Sequence, residues 1–123
     1  MLIKGYKIKL GARGEEIAAS HLLQMGYRIV ERNYRCPLGE LDMIAYHEDT
    51  IVFVEVRTNS PANAGLAEAS IGFRKQRKLR QVATYYLKLK GLLAHLARFD
   101  VVIVILEREA RQARSIKLIK NAF

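Results

Sequence analysis

The longest uninterrupted apolar stretch in the chain, residues 101–106, places the strongest constraint on its fold. Its length and its Val and Ile content are typical of a β-strand, and a strand without polar alternation must be covered on both faces. The stretch is far shorter than the 18 or more apolar residues of a membrane span. It therefore predicts a sheet packed between other layers, in a protein with no membrane partner.

Helical and strand-like patterns follow one another along the rest of the 123 residues. Apolar residues recur at helical spacing over 14–25 and again over 73–90. Strand patterns occupy residues 27–34, 39–46, 51–58, 99–106 and 116–119. This order predicts an α/β fold with a mixed central sheet flanked by helices. No linker or repeat interrupts it, so we expect residues 1–123 to form a single domain.

The positive charge is concentrated in the second half of the chain. Residues 1–71 contain 8 Lys and Arg against 9 Asp and Glu, whereas residues 72–123 contain 13 against 3. A basic excess of this size attracts phosphate polyanions, and nucleic acid is the first candidate. The alternative is a basic protein that its charge keeps soluble.

The cysteine content indicates the redox compartment. Cys36 is the only cysteine in the sequence, so it has no internal disulfide partner and is too little for a structural zinc site. A chain of this kind is typical of a reducing environment. We therefore expect a cytoplasmic protein.

Two strand-like segments, 39–46 and 51–58, are joined by the polar residues 47–50 in the pattern of a β-hairpin. A turn on those four residues places Tyr46 opposite Ile51. The same register then places Asp42 opposite Glu55 and Glu40 opposite Arg57. Because side chains alternate between faces, we expect these four ionisable groups to lie on one side of the sheet.

Two carboxylates in opposed positions repel each other, so the pair formed by Asp42 and Glu55 requires compensation. A divalent cation is an effective counter-charge, and oxygen ligands without Cys or His favour Mg²⁺ or Mn²⁺ over zinc. The alternative is a salt-bridged sheet surface, in which Arg57 neutralises Glu40 and Glu55. The spacing alone leaves both interpretations open.

The segments Gly39-Glu40-Leu41-Asp42 and Val54-Glu55-Val56-Arg57 resemble the core of the PD-(D/E)xK nuclease superfamily. More closely, the chain resembles the YraN-like family of small bacterial proteins, which is related to archaeal Holliday junction resolvases. The resemblance spans about residues 11–106. The other motifs that carry it are Gly11-x-x-Gly14-Glu15, Gly26-Tyr27, Asn33-Tyr34-Arg35 and Arg98-Phe99-Asp100-Val101-Val102.

The resemblance implies a restriction-endonuclease-like αβββαβ core and metal-dependent hydrolysis of phosphodiester bonds in DNA, including branched or damaged DNA. It implies that Asp42 and Glu55 are ligands of Mg²⁺ or Mn²⁺, with Glu55 bridging to the scissile phosphate. Glu15, at the start of the first predicted helix, corresponds to an additional acid of the site. Gln76 on the second helix is a candidate for an assisting residue, and Glu40 is a further candidate on the strand.

Arg57 stands where the motif has a lysine. A guanidinium stabilises charge on phosphate oxygens, but it stays protonated and cannot act as a general base. Two interpretations follow. Either the metal alone activates the attacking water, or the protein is a nucleic-acid-binding module that does not cut.

Residues 74–80, which we call the basic segment, carry five cations in seven positions at the start of the second predicted helix. The helix dipole favours anions at that end, so bound phosphates would offset the repulsion, whereas a solvated helix face is the alternative. The residues that we expect to contact DNA are Arg35, Arg74, Lys75, Arg77 and Lys78. A homodimer would suit a two-fold-symmetric junction, and docking of the basic face on an acidic protein is a further alternative.

Overall fold

A computed structural model describes residues 2–65, 71–107, 109 and 112–123, with side chains from residue 10 onward. A 3₁₀ turn over Pro61–Asn63 follows the third strand. The regular elements, in chain order, are α1 (Leu2–Gln24), β1 (Tyr27–Cys36), β2 (Gly39–His47), β3 (Thr50–Asn59), α2 (Phe73–Leu89), β4 (Ala97–Ile105) and β5 (Ser115–Ile119).

The five strands form one mixed sheet in the order β1-β2-β3-β4-β5. The central pair, β3 and β4, is parallel, and the other neighbours are antiparallel. A parallel pair needs a crossover connection, and α2 lies within it. The predicted α/β fold with a mixed sheet and flanking helices is confirmed, and the element order is compatible with an αβββαβ core.

Helices cover both faces of the sheet, as the apolar stretch in β4 requires. On one face, Ala18 and Leu22 of α1 pack against the even-numbered valines of β3 and β4. On the other face, Leu79, Val82 and Tyr86 of α2 pack against β2 and β3. Residues of β4 that point to this second face are covered instead by Ile71 and the C-terminal residues. The core therefore consists of two layers that share the sheet.

The prediction for the start of the first helix was wrong, because α1 begins at Leu2 and not near residue 14. Gly14 lies inside the helix, where α1 crosses β3. A Cβ atom built on Gly14 would lie 1.8 Å from Oγ1 of Thr58. This glycine therefore permits close packing of helix on strand and does not mark the helix start. Although α1 has 23 residues, no helix in the described ranges is long and apolar enough to cross a membrane.

A buried polar network surrounds Asp100 of β4, whose Cα partner in β3 is Val54. Asp100 is fully buried. Its carboxylate accepts hydrogen bonds from the Tyr27 hydroxyl at 2.6 Å, from Arg98 Nε at 2.9 Å and from the backbone amide of Asn121 at 2.9 Å. Burial and the bond to Asp100 raise the pKa of Tyr27 to about 12. Because these partners satisfy the carboxylate, we interpret the network as structural.

The close approach at Gly14 gives a prediction about stability. Gly14→Ala should lower the free energy of unfolding by about 1 to 3 kcal/mol, because the new methyl group overlaps Thr58 and forces α1 away from β3. Gly11→Ala is the matched control, since nothing lies within 4 Å of a Cβ at that helical position. It should stabilise the protein by up to about 1 kcal/mol. Urea unfolding measures both changes, and equal effects would contradict the packing argument.

Candidate active site

The β2–β3 hairpin has the predicted register over its five recorded pairs, from Met43↔Val54 to His47↔Thr50. At the next position the arrangement changes. Oδ2 of Asp42 accepts a hydrogen bond from the Val56 backbone amide at 2.8 Å. A side chain from one strand thus binds the main chain of the other, and Asp42 is held against β3 beside Glu55.

The alternation of faces in β2 breaks at the same place. Leu41 packs on the face that α2 covers, whereas Met43 packs on the face that α1 covers. Two residues that are two positions apart in a regular strand share a face. The local irregularity therefore turns the start of β2 relative to its continuation, and Asp42 lies at the turning point.

Glu40 does not lie opposite Arg57, as the hairpin register predicted. Its Cα partner is Arg35 in β1, and Oε2 of Glu40 lies 3.1 Å from Nε of Arg35. Both side chains are exposed, so this is a surface ion pair of small energetic weight. The prediction was wrong because it extended the β2–β3 register to the end of the hairpin, whereas the recorded pairs end at Met43↔Val54.

Glu55 is the buried acid of the site. Only 9% of its side chain is exposed, although it belongs to the polar end of β3. Two cations face its Oε2 atom: Nζ of Lys75 at 3.2 Å and Nε of Arg57 at 3.8 Å. Lys75 lies in the first turn of α2, so the crossover helix contributes to the same site as the strand.

Asp42 and Glu55, which we call the carboxylate pair, influence each other strongly. Burial, the charge of Glu55 and a side-chain hydrogen bond to it raise the pKa of Asp42 to about 8, against the opposing effect of the Val56 amide. Two neighbouring carboxyl groups in a desolvated site do not both ionise easily. Additional positive charge would relieve that cost.

Glu15 of α1 interacts electrostatically with both acids of the carboxylate pair. Burial raises its pKa, the Arg32 guanidinium lowers it, and the charges of Glu40 and Glu55 raise it again. Glu15 is therefore within electrostatic reach of Glu55. In the described part of the chain, however, no three His, Cys, Asp or Glu residues form a group that could hold a metal ion.

The carboxylate pair by itself suits a magnesium-type ion. Mg²⁺ keeps several waters and is commonly held by one or two carboxylates together with substrate phosphates. Asp42 and Glu55 offer two oxygen donor groups, and a bound cation would offset the cost of ionising both of them. The residues present therefore fit Mg²⁺ or Mn²⁺, and Asp42 and Glu55 are the residues that would hold such an ion.

The basic segment begins beside this site, where Lys75 contacts Glu55. Arg74, Lys75, Arg77 and Lys78 are all exposed on the first turns of α2. Gln76 is half-buried, and its Nε2 donates a hydrogen bond to the Ile71 carbonyl at 3.0 Å, which ties the start of the helix to the preceding chain. Its observed partner is thus the backbone.

Sequence reasoning missed the contact between Lys75 and Glu55. It placed Lys75 in the basic segment but had no distance from that segment to the acidic strand. One signal was available: a crossover helix begins near the end of the strand that precedes it, so the first turn of α2 lies near the end of β3.

Comparison with known proteins identifies the family of the chain. A family model described as "Uncharacterised protein family UPF0102" matches residues 14–104. The chain belongs to the UPF0102 family. The matched region of this UPF0102 protein includes both acids of the carboxylate pair as well as Glu15, Arg57 and Lys75, so the whole candidate site lies inside it.

Relatives named UPF0102 protein match over nearly their full length. One from Moorella thermoacetica is 50% identical over 113 residues, which cover 92% of this chain and 93% of the relative. One from Syntrophus aciditrophicus is 45% identical, with 94% and 89% covered. One from Caldanaerobacter subterraneus is 38% identical, with 95% and 96% covered. These matches support the same family assignment.

The raised pKa of Asp42 predicts how stability depends on pH without a divalent cation. The unfolded chain releases this proton near the ordinary pKa of 3.8, and the folded protein holds it until about pH 8. The free energy of unfolding should therefore fall as the pH rises between these values. Asp42→Asn should flatten that fall, because an amide does not titrate.

Urea unfolding in a chelating buffer, at several pH values across this window, tests the prediction. Asp49→Asn is the control, since Asp49 is an exposed acid in the turn at the other end of the hairpin. It should leave the slope near that of the wild type. A wild-type slope that Asp42→Asn does not change would show that Asp42 titrates normally.

Proposed function

We propose that this UPF0102 protein is a metal-dependent endonuclease that hydrolyses phosphodiester bonds in DNA. The main observation in support of this proposal is the carboxylate pair, in which Asp42 lies beside the buried Glu55. Lys75 and Arg57 lie next to the pair. Groups with strongly perturbed pKa values in a charged cluster are typical of functional sites. The resemblance of the acidic strands to PD-(D/E)xK nucleases supports the same proposal.

Asp42 and Glu55 would hold the ion. When bound, Mg²⁺ or Mn²⁺ supplies Lewis-acid stabilisation of phosphate oxygens and a more acidic water. The hydrogen bond from Val56 fixes one oxygen of Asp42, so the pair is oriented before any ligand arrives. Pre-orientation of this kind lowers the reorganisation needed during reaction.

Arg57 stabilises charge on the phosphate undergoing reaction. Its guanidinium stays protonated, and its planar donors match phosphate oxygens. Nε of Arg57 is already 3.8 Å from Glu55, so the cation lies next to the pair without a conformational change. Glu15 adds negative charge on the α1 side, which strengthens the attraction of the site for a cation.

The basic segment holds the DNA backbone. Its cations project from the N-terminal turns of α2, where backbone amides and the helix dipole also favour phosphate. Arg35 extends this positive surface to the end of β1, next to Glu40. Binding through such a surface depends on charge and not on base sequence.

A non-catalytic DNA-binding module is the second candidate. The observation that favours it is the neutralisation of Glu55 by two cations of the chain itself, Lys75 and Arg57. If those cations remain in place, the acid has no need of a metal. The same surface would then bind DNA without cutting it.

Cleavage assays separate the two candidates. Labelled four-way junction, duplex and single-stranded DNA, with RNA as a parallel substrate, are incubated with Mg²⁺ or Mn²⁺. We expect the wild type to cut a DNA substrate, and Glu55→Gln to reduce the rate by at least about a hundredfold. Asp49→Asn, a carboxylate-to-amide change at the far end of the hairpin, should keep the wild-type rate.

A wild type that is silent while Arg57→Lys cuts would favour the binding module. Silence from both proteins, without DNA binding, would overturn both candidates. Thermal unfolding of each variant establishes that a loss of rate does not come from a loss of fold.

The role of the basic segment is tested by the salt dependence of DNA binding. Each phosphate contact that is lost should reduce the slope of log K against log salt by about 0.9. We expect this from Arg77→Ala and from Lys78→Ala, whereas Lys120→Ala, in the turn after β5, should leave the slope unchanged. Fluorescence anisotropy at several salt concentrations gives the slopes. Equal slopes for all four proteins would place the DNA elsewhere.

A further inference from the structure

Lys75 connects the basic segment to the carboxylate pair. Its Nζ atom lies 3.2 Å from Oε2 of Glu55, which is closer than the 3.8 Å approach of Arg57 Nε to the same oxygen. Among the described cations of the basic segment, Lys75 is the one recorded in an ion pair with this acid. It comes from α2, whereas Glu55 and Arg57 come from β3.

The exposure of Lys75 differs from that of its partners. Its side chain is 47% exposed, whereas that of Arg57 is 24% exposed and that of Glu55 is 9% exposed. The ammonium group of Lys75 thus contacts a buried acid, although nearly half of the lysine side chain is exposed to solvent. A lysine of this kind can move without disturbing the core, because its four-carbon stem is flexible and its charge is compact.

A divalent cation on the carboxylate pair would compete with this ammonium group. Both would contact the Glu55 carboxylate, and two positive charges in contact with one carboxylate repel each other. Arg57 is held on β3 and largely covered, so Lys75 is the cation that is free to leave. The displaced ammonium group would then bind a phosphate that DNA brings to the site.

We propose that Lys75 is a further catalytic residue, which neutralises Glu55 in the free protein and binds the scissile phosphate once a divalent cation occupies Glu55. This inference rests on the proposed function. This role involves no proton transfer. It contributes hydrogen bonds and positive charge to phosphate oxygens as negative charge develops on them.

This role predicts opposite effects of one substitution on two measurements. Lys75→Met keeps the length of the side chain and removes its charge. The variant should bind Mn²⁺ more tightly than the wild type, by about tenfold, because the competing cation is gone. It should also cut saturating DNA about a hundredfold more slowly in a single turnover, because the phosphate has lost a donor.

Lys88→Met is the matched control. Lys88 is an exposed lysine in the last turn of the same helix, so this change removes the same charge far from Glu55. Its Mn²⁺ affinity and its single-turnover rate should remain close to those of the wild type. Circular dichroism and thermal unfolding of both variants verify that α2 is intact.

Calorimetric titration with Mn²⁺ in the absence of DNA, followed by single-turnover cleavage, tests the role of Lys75. Equal Mn²⁺ affinity in Lys75→Met and Lys88→Met, or equal cleavage rates, would overturn the assignment of Lys75. If the wild type cuts no substrate, the proposed function and the phosphate role of Lys75 fail together. The Mn²⁺ titration then still decides whether Lys75 is the counter-cation of Glu55, because it needs no turnover.

Discussion

The contact between Asp42 and the Val56 backbone amide controls the geometry of the candidate site. The recorded β2–β3 pairs end at Met43↔Val54, and the next residue of β2 places its carboxylate on the main chain of β3. A regular strand pair would have left Asp42 as one more side chain above the sheet. The observed contact instead holds it beside Glu55, in a partly desolvated position where its pKa rises to about 8. The cost of bringing these acids together is what makes the site receptive to positive charge.

The crossover between the two parallel strands supplies that positive charge. Because β3 and β4 are parallel, the chain leaves the end of β3, forms α2 and returns to the start of β4. The first turn of α2 therefore begins near Glu55, and Lys75 reaches it. On the neighbouring strand, Asp100, whose Cα partner in β3 is Val54, is satisfied by Tyr27, Arg98 and Asn121. Two buried acids in one sheet thus have different roles, since one has a complete set of fixed partners and the other faces a flexible lysine.

The close approach of α1 to β3 positions Glu15, the third acid of the candidate site. Gly14 allows the helix to lie directly against Thr58 of β3. The charges of Glu40 and Glu55 then raise the pKa of the next residue, Glu15. The sequence motif that contains both residues was interpreted as the opening of a helix. Its observed role is packing, because the helix extends back to Leu2. The interpretation failed since periodicity detects the amphipathic part of a helix and does not register turns that lie before it.

Much of the architecture could be predicted because it follows from local patterns. The apolar stretch in β4, the helical spacing in α2 and the polar turn at 47–50 give the element order, the mixed sheet and the register of the hairpin over its regular pairs. The prediction of Glu40 opposite Arg57 failed because a register read from a turn assumes that the ladder continues, and the face change at Asp42 ends that regularity. The DNA partner, the metal and the homodimer stay predictions, since they depend on molecules other than this chain.

The sequence by itself determined which chemical groups are present: the acids Asp42 and Glu55 with Arg57 on one hairpin, and a basic segment on a later helix. Only the tertiary structure decided which of those groups meet. Lys75 follows Glu55 by twenty residues, and no local pattern relates them. Their 3.2 Å contact exists because the parallel pairing of β3 with β4 requires a crossover helix, and the packing of that helix on the sheet fixes where its first turn lies.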